Sequence, residues 1–434
     1  MNKLLTTFLS LLFIAHCSFG GQSGFWNETK KIKKEKETII KELFKKEEPH
    51  EKEINTNLKV NLKAKLIKNS FINNFDNNNG RIDYDGNLKN ISKYKFSKID
   101  NFNEFEPEIV FDKNNVIFFD NKGSIIKFNE TSKIIWKKNY YSKHEKKIGP
   151  KLTFSSSGEN LIITDNIAKF YVINLNNGDL LWKKINEYPF NSEIKIFGDK
   201  FFVVDLKNTL RCFFIKEGTE CWNLPTENSI IVSDTKNSLI IENDLIIFNN
   251  KIGDVTAVEI SSGSIVWQIP TQSFEIINNT HNFKNSKLVS DGNSIYFSNN
   301  KSEFYSINIK NGSVNWINNI SSSLTPIIYG NLIYTISDNG FFHVIEKDKG
   351  NIIKINDVYK SYKIKKRKNL KPTGFSISQD KLYLSNNDGK LIVVKLDSGN
   401  ISKIIKISKN IISKPFIYDN NLFIVKNGSI VQYN

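Results

Sequence analysis

Cys212 and Cys221 come nearest, in type and spacing, to residues that do chemistry. They flank the turn Lys216-Glu217-Gly218, which predicts cross-strand neighbours in one hairpin. Such neighbours have Cβ atoms close enough for a disulfide. The alternative is a pair of reduced, buried thiols. The third cysteine, Cys17, closes an apolar run near the N-terminus. The histidines His16, His50, His144, His281 and His343 are scattered, without a ligand spacing such as HExxH, and predict no metal site. No GxSxG elbow, phosphate loop or dinucleotide fingerprint is present. The carboxylate pair Glu47-Glu48 lies in a densely charged tract where solvation accounts for it. The expectation is a protein with no catalytic, cofactor-binding or metal-ligating residues, and not an enzyme.

The elements that carry these residues repeat. Leu161 to Trp182, LIITDNIAKFYVINLNNGDLLW, reads as two strands and the start of a third, with turns at Asp165-Asn166 and Asn177-Gly178. The phrase Gly178-x-x-x-Trp182 recurs as Gly218 to Trp222, Gly263 to Trp267 and Gly312 to Trp316. An earlier copy has Ser132 in the glycine slot and ends in Trp136. Two later copies keep Gly350 and Gly399 but carry Lys354 and Lys403 where tryptophan is expected. A period of roughly 40 to 50 residues holding four short strands marks a propeller blade. A second turn precedes each of these, as in DNKG at 120–123, KIGD at 251–254, SDNG at 337–340 and NNDG at 386–389. Runs such as Val116–Phe119 and Leu245–Phe248 are continuously apolar, which suits strands covered on both faces. Trp136, Trp182, Trp222, Trp267 and Trp316 are expected to lie flat between neighbouring blades.

Seven complete units begin near Pro107, Pro150, Ser192, Ser229, Phe283, Thr325 and Pro372, and an eighth, Pro415–Asn434, stops after its third strand. Ile91–Ile99 stands ready to supply the missing strand, and closing the ring that way removes exposed sheet edges. The predicted fold is therefore all-β: an eight-bladed propeller of four-stranded antiparallel blades closed by an N-terminal strand, with seven blades as the alternative. The predicted organisation is a signal segment at 1–17, a charged tether at 18–57, an arm at 58–90 and the propeller at 91–434. Leu58, Val60, Leu62, Ala64 and Leu66 alternate with polar residues, so the arm reads as a strand laid on the propeller. The formal charge is +16, yet only Arg81, Arg211 and Arg367 are arginines among the 61 basic residues. The densest basic cluster, Lys363–Lys368, reads as a solvated loop between the sixth and seventh blades, or as a surface for an acidic partner or anionic lipid. Nucleic acid is not an expected partner, nor is a small-molecule substrate.

Residues 1–20 carry an early Lys3 and an apolar run from Leu4 to Ala15, too short to span a bilayer, as in a secretory signal. Ile14-Ala15-His16-Cys17 resembles a bacterial lipobox, with His16 in place of the usual small residue. That resemblance implies lipidation of Cys17, and Ser18 after it implies sorting to the outer membrane. The alternative is cleavage after Ser18-Phe19-Gly20, leaving a soluble periplasmic protein.

The blade phrase resembles the PQQ-like repeat over about residues 91–434. Two kinds of protein use it. Quinoprotein dehydrogenases hold PQQ on a tryptophan beneath a vicinal Cys-Cys disulfide, with calcium nearby; this sequence has no vicinal Cys pair. The order of lipobox, tether, closing strand and blades is similar to that of the BamB family of the outer-membrane β-barrel assembly machinery. The resemblance implies a non-enzymatic scaffold, lipid-anchored at the periplasmic face of the outer membrane and docked on POTRA domains of a BamA-like subunit. That family's partner patch maps to Ile230-Ile231-Val232-Ser233, so Ile230 and Val232 become candidate partner-binding residues. Its arginine is replaced by Ser233, and its acidic pair by Asn282 and Lys284. As outer-strand residues, Ile230 and Val232 equally suit packing on a neighbouring blade.

Overall fold

Alternating turn chemistry and apolar runs give the chain its architecture. In the computed structural model, which describes residues 50–62, 84–100, 106–227, 236–271 and 283–434, eight four-stranded antiparallel sheets follow one another around a ring. Blade 2 shows the pattern: strands at Leu152–Ser157, Asn160–Asp165, Lys169–Asn174 and Leu180–Ile185 pair in that order. First strands of successive blades approach one another, so they form the hub. The second and third strands are buried along almost their whole length, while the fourth alternates towards solvent at the rim.

The eighth sheet is the lock. Its strands Phe416–Tyr418, Asn421–Lys426 and Ser429–Tyr433 are completed by Asn90–Lys95, which pairs antiparallel with the last of them. Seven blades is thereby excluded. One apolar cluster spans the closure, with Phe111 of blade 1 stacked on Tyr418 of blade 8 at 4.5 Å between ring centroids.

Five of the eight hairpins between second and third strands are fixed by an Asp or Asn at their start. Asp120 Oδ1 accepts the backbone N–H groups of Lys122 and Ser124 at 3.0 and 2.9 Å. Asp165, Asp205, Asn250 and Asn299 repeat this with the residues two and four further on. A short oxygen-bearing side chain that satisfies its own turn is the physical reason Asp and Asn recur there.

The phrase G-x-x-x-W works between blades. At Gly218, φ is +63°, and an added Cβ would stand 2.5 Å from Trp182 of the preceding blade. The rings of Trp136, Trp222, Trp267 and Trp316 lie on Gly178, Gly263, Gly312 and Gly350 in the same way. Four of the indole N–H groups also reach the next blade's backbone: Trp182 to Ile215, Trp222 to Ile260, Trp267 to Ile309 and Trp316 to Lys347. At Trp136 the matching carbonyl, that of Leu175, accepts from Lys127 Nζ instead. Trp136 and Trp267 are buried; Trp182, Trp222 and Trp316 are half-buried.

The N-terminal arm begins earlier than the sequence suggested. Residues 50–58, assigned to the tether but for Leu58, already lie along blade 6. Ile54 and Ile355 exchange backbone hydrogen bonds at 3.1 and 3.0 Å. Beyond it, Val60 N–H donates to Asp397 O, and Val60 and Leu62 pack on the apolar cluster of blades 6 and 7. The arm forms this isolated bridge rather than the regular strand expected over 58–66; Ala64 and Leu66 lie outside the described residues.

Candidate functional site

Two surfaces of the ring carry side chains beyond those that hold it together: the rim of fourth strands and the hub of first strands. Rim residues just ahead of the repeat tryptophans are exposed and apolar. They are Ile134 and Ile135 in blade 1, Leu180 and Leu181 in blade 2, and Ile265 and Val266 in blade 4. A strand edge with apolar side chains and open backbone groups is a surface for another protein.

On blade 6 the arm covers that edge. Lys354, in the tryptophan slot, is buried and donates to Thr56 O at 2.8 Å and Leu58 O at 2.5 Å. His343 on the adjacent strand is buried between two backbone carbonyls. Its Nδ1 meets Phe341 O and its Nε2 meets His50 O, both at 2.9 Å. Burial pushes the His343 imidazole down to about 4. The lysine that broke the repeat in sequence is thus the arm's anchor.

The hub is ionic. Glu108, Glu193, Lys236, Lys287 and Lys414 each stand two or three residues ahead of the first strand of their blade. Lys287 binds both Glu108 and Glu193, the latter at 2.5 Å. Lys414 reaches Glu108 at 3.4 Å, Lys195 reaches Glu193 at 3.4 Å, and Lys236 donates to Thr153 Oγ1 at 2.9 Å. Burial works to raise the Glu108 carboxyl, but the Lys287 and Lys414 charges outweigh it and hold Glu108 well below the carboxylate range. Burial works equally to lower Lys287, and its two glutamates hold it well above the usual value. For Lys236 burial prevails over the glutamates, and the ammonium falls to about 8; Lys414 is lowered by burial and then by Lys287.

Among the described residues no group of three or more His, Cys, Asp or Glu converges on a metal position. All five repeat tryptophans stand on fourth strands, away from the axis.

Cys212 and Cys221 do not form the expected disulfide; both are free thiols. A bulge after Cys212 shifts the register, so Cys212 pairs with Trp222 and Phe213 with Glu220, leaving Cys221 in the irregular step. The thiols still touch side by side, and burial raises both. Of the other candidates, Cys17, Ile230, Val232 and Asn282 lie outside the described residues. Lys284 is exposed at the mouth of the hub. The basic cluster is a short helix, Ile364–Arg367, tied down by Arg367 to Asp357 at 2.6 Å and Lys366 to Asp388 at 3.4 Å.

A family model described as outer membrane protein assembly factor BamB matches residues 121–356. Uncharacterized protein RP232 of Rickettsia prowazekii (strain Madrid E) is 25% identical over 328 residues, which cover 70% of this chain and 76% of that protein. The crystal structure of BamB from Moraxella catarrhalis aligns with a TM-score of 0.64 at 14% identity, over 80% of this chain and 99% of that one. A europium-containing methanol dehydrogenase aligns with a TM-score of 0.62 at 9% identity, over 79% of this chain and 86% of that one. At such identities these two likenesses are of fold alone.

Proposed function

This chain belongs to the outer membrane protein assembly factor BamB family, and from that premise we propose that it is a non-enzymatic scaffold of the β-barrel assembly machinery. In this reading it docks on the periplasmic POTRA domains of a BamA-like subunit. Cys17, lipidated, anchors it at the periplasmic face of the outer membrane. The family match over residues 121–356 carries the reading. The rim supports it: exposed apolar pairs such as Leu180-Leu181 on strand edges suit the holding of other proteins better than the turnover of a substrate. The resemblance maps the family's partner patch to Ile230 and Val232, which are therefore the first to mutate.

Crosslinking in intact cells, followed by identification of the captured protein, tests the proposal. Capture of an outer-membrane barrel protein bearing POTRA domains is the expected result. Recovery of the lipidated protein from mild detergent with no such partner counts against it. The dehydrogenase alternative predicts quinone binding in an absorbance titration with PQQ and calcium. Retention on purified cell-wall sacculi would instead favour a propeller that binds an envelope polymer.

A further inference from the structure

The axis of the propeller holds a funnel that the scaffold reading does not use. A cavity of about 300 Å³ opens between the segments leading into blades 1, 5, 6, 7 and 8. Beneath it a narrower cavity continues down to Lys236 and Lys287. Glu106, Asn285, Ser323, Leu324, Thr373 and Lys414 line both, so the two form one passage.

Its charge is unbalanced. Lys195, Lys236, Lys284, Lys287, Lys371 and Lys414 stand in or just behind its wall with Glu106, Glu108, Glu193 and, behind Ser323, Asp338: six cations against four anions. The mouth lysines are held in place by their backbones. Lys284 N–H donates to Asn300 Oδ1 and Lys371 N–H to Asn387 Oδ1, each at 3.0 Å. Like charges gathered in a desolvated site repel one another and destabilise the empty ring. Burial depresses the Lys236 and Lys414 ammoniums, and the nearby Lys287 charge adds to it at both.

A second observation points the same way. Thr373 Oγ1, in the wall shared by the two cavities, is a buried hydroxyl without a hydrogen-bond partner and can donate to an anion. Asn285 Oδ1 in the same wall, also unpartnered, accepts only and calls for a donor such as a ligand hydroxyl. Buried polar atoms are nearly always satisfied, so orphans on a cavity wall mark where a ligand group sits.

We propose that this axial funnel binds a small, non-aromatic polyanion bearing two or more carboxylate or phosphate groups. Lysine ammoniums are point donors suited to several charged oxygens. Thr373 and the Asn285 amide N–H supply neutral partners, while Leu324, Ile411 and Ile412 cover a short carbon frame. The volume is that of a small-metabolite pocket.

The test uses the purified full-length protein in low-salt buffer at pH 7, titrated with citrate and, separately, with inorganic phosphate. Calorimetry and thermal melting are the readouts, with sodium chloride at matched ionic strength as the reference. One of the two anions is expected to bind once per chain and to raise Tm beyond the salt reference. The one that does so distinguishes carboxylate from phosphate chemistry. Lys414→Met and Lys236→Met should each weaken that binding at least tenfold while raising the Tm of the empty protein, because each removes a crowded cation. Lys365→Met, on the surface helix, should change neither. Equal melting in anion and in salt overturns the proposal. So does unchanged affinity in the Lys414 and Lys236 variants, or a fall in their empty-state Tm, which would make these lysines structural ion-pair partners only. Partner capture at the rim is unaffected by either result, so failure here leaves the scaffold reading standing.

Discussion

Replacing Gly218 by Ala should cost far more than replacing Gly198, although both sit at nearly the same backbone angle. The φ values are +63° and +60°, and the left-handed conformation alone costs an L-residue about 1–2 kcal/mol. A Cβ at Gly198 meets nothing within 4 Å. At Gly218 it would stand 2.5 and 2.6 Å from Trp182 Cζ3 and Cη2, inside van der Waals contact. The ring has to lift. Lifting it weakens the 2.8 Å indole bond to Ile215 O, a loss of about 1 kcal/mol, and opens its edge-on packing against Phe170. We expect Gly218→Ala to destabilise by about 3 kcal/mol and Gly198→Ala by about 1 kcal/mol. Trp182→Ala, removing a half-buried ring, should itself cost about 3 kcal/mol, the lower end for such truncations. In the Trp182→Ala background the Gly218 substitution should then cost only its backbone share, a coupling of about 2 kcal/mol. Calorimetric unfolding of the four-member cycle, with Gly198→Ala as control, measures this. Additive costs at Gly218 and Trp182, or equal costs at Gly218 and Gly198, would refute the claim that the repeat motif joins successive blades.

Two further outcomes follow from the arm. Lys354→Met leaves the carbonyls of Thr56 and Leu58 without their charged donor, a loss of about 1.5–3 kcal/mol; limited proteolysis should then cut within residues 50–62 much faster, and an unchanged rate would count against the anchor. His343 has its pKa depressed on folding, so its stabilisation is complete above its unfolded value of 6.5 and is lost as pH falls towards about 4. The loss amounts to about 3 kcal/mol across that window. A His343→Gln variant should show a flatter Tm profile between pH 6.5 and 4, and a profile parallel to the unsubstituted protein's would show that another group titrates there.

The ring was legible because its signals are local. An Asp or Asn ahead of a turn satisfies its own hairpin, and a glycine at positive φ announces the next one, so strand order and blade count follow from spacing. The closing strand was legible for a different reason: seven complete copies are followed by an eighth, Pro415–Asn434, that lacks one strand. What spacing could not show is which blade a side chain serves. Spacing pairs Trp182 with Gly178, four residues before it, but its ring lies on Gly218, 36 residues after it. The register at Cys212 was hidden similarly, because a one-residue bulge that periodicity cannot see sets Trp222 opposite it. The hub was scattered along the sequence, one or two charges per blade. Aligning the copies on their first strands would have put Glu108, Glu193, Lys236, Lys287 and Lys414 in nearly one column.

The departures from the repeat are the more informative residues, and each has a physical cause. Ser132 tolerates a φ of +63° where every later copy has glycine, because the preceding outer strand is Asn90–Lys95, which brings no tryptophan to cover it. Lys403 replaces tryptophan in blade 7 because blade 8 joins its third and fourth strands from distant parts of the chain, leaving no hairpin glycine for a ring to cover. Lys354 replaces it in blade 6 because the arm lies there and presents carbonyls, which an ammonium can bind and an indole face cannot. A propeller built of near-identical blades has no intrinsic front or side. Its individuality comes from the positions where the shared phrase is broken, and here those breaks fall at the closure and under the arm, while among the described residues the outer edges of blades 1, 2 and 4 keep exposed apolar pairs.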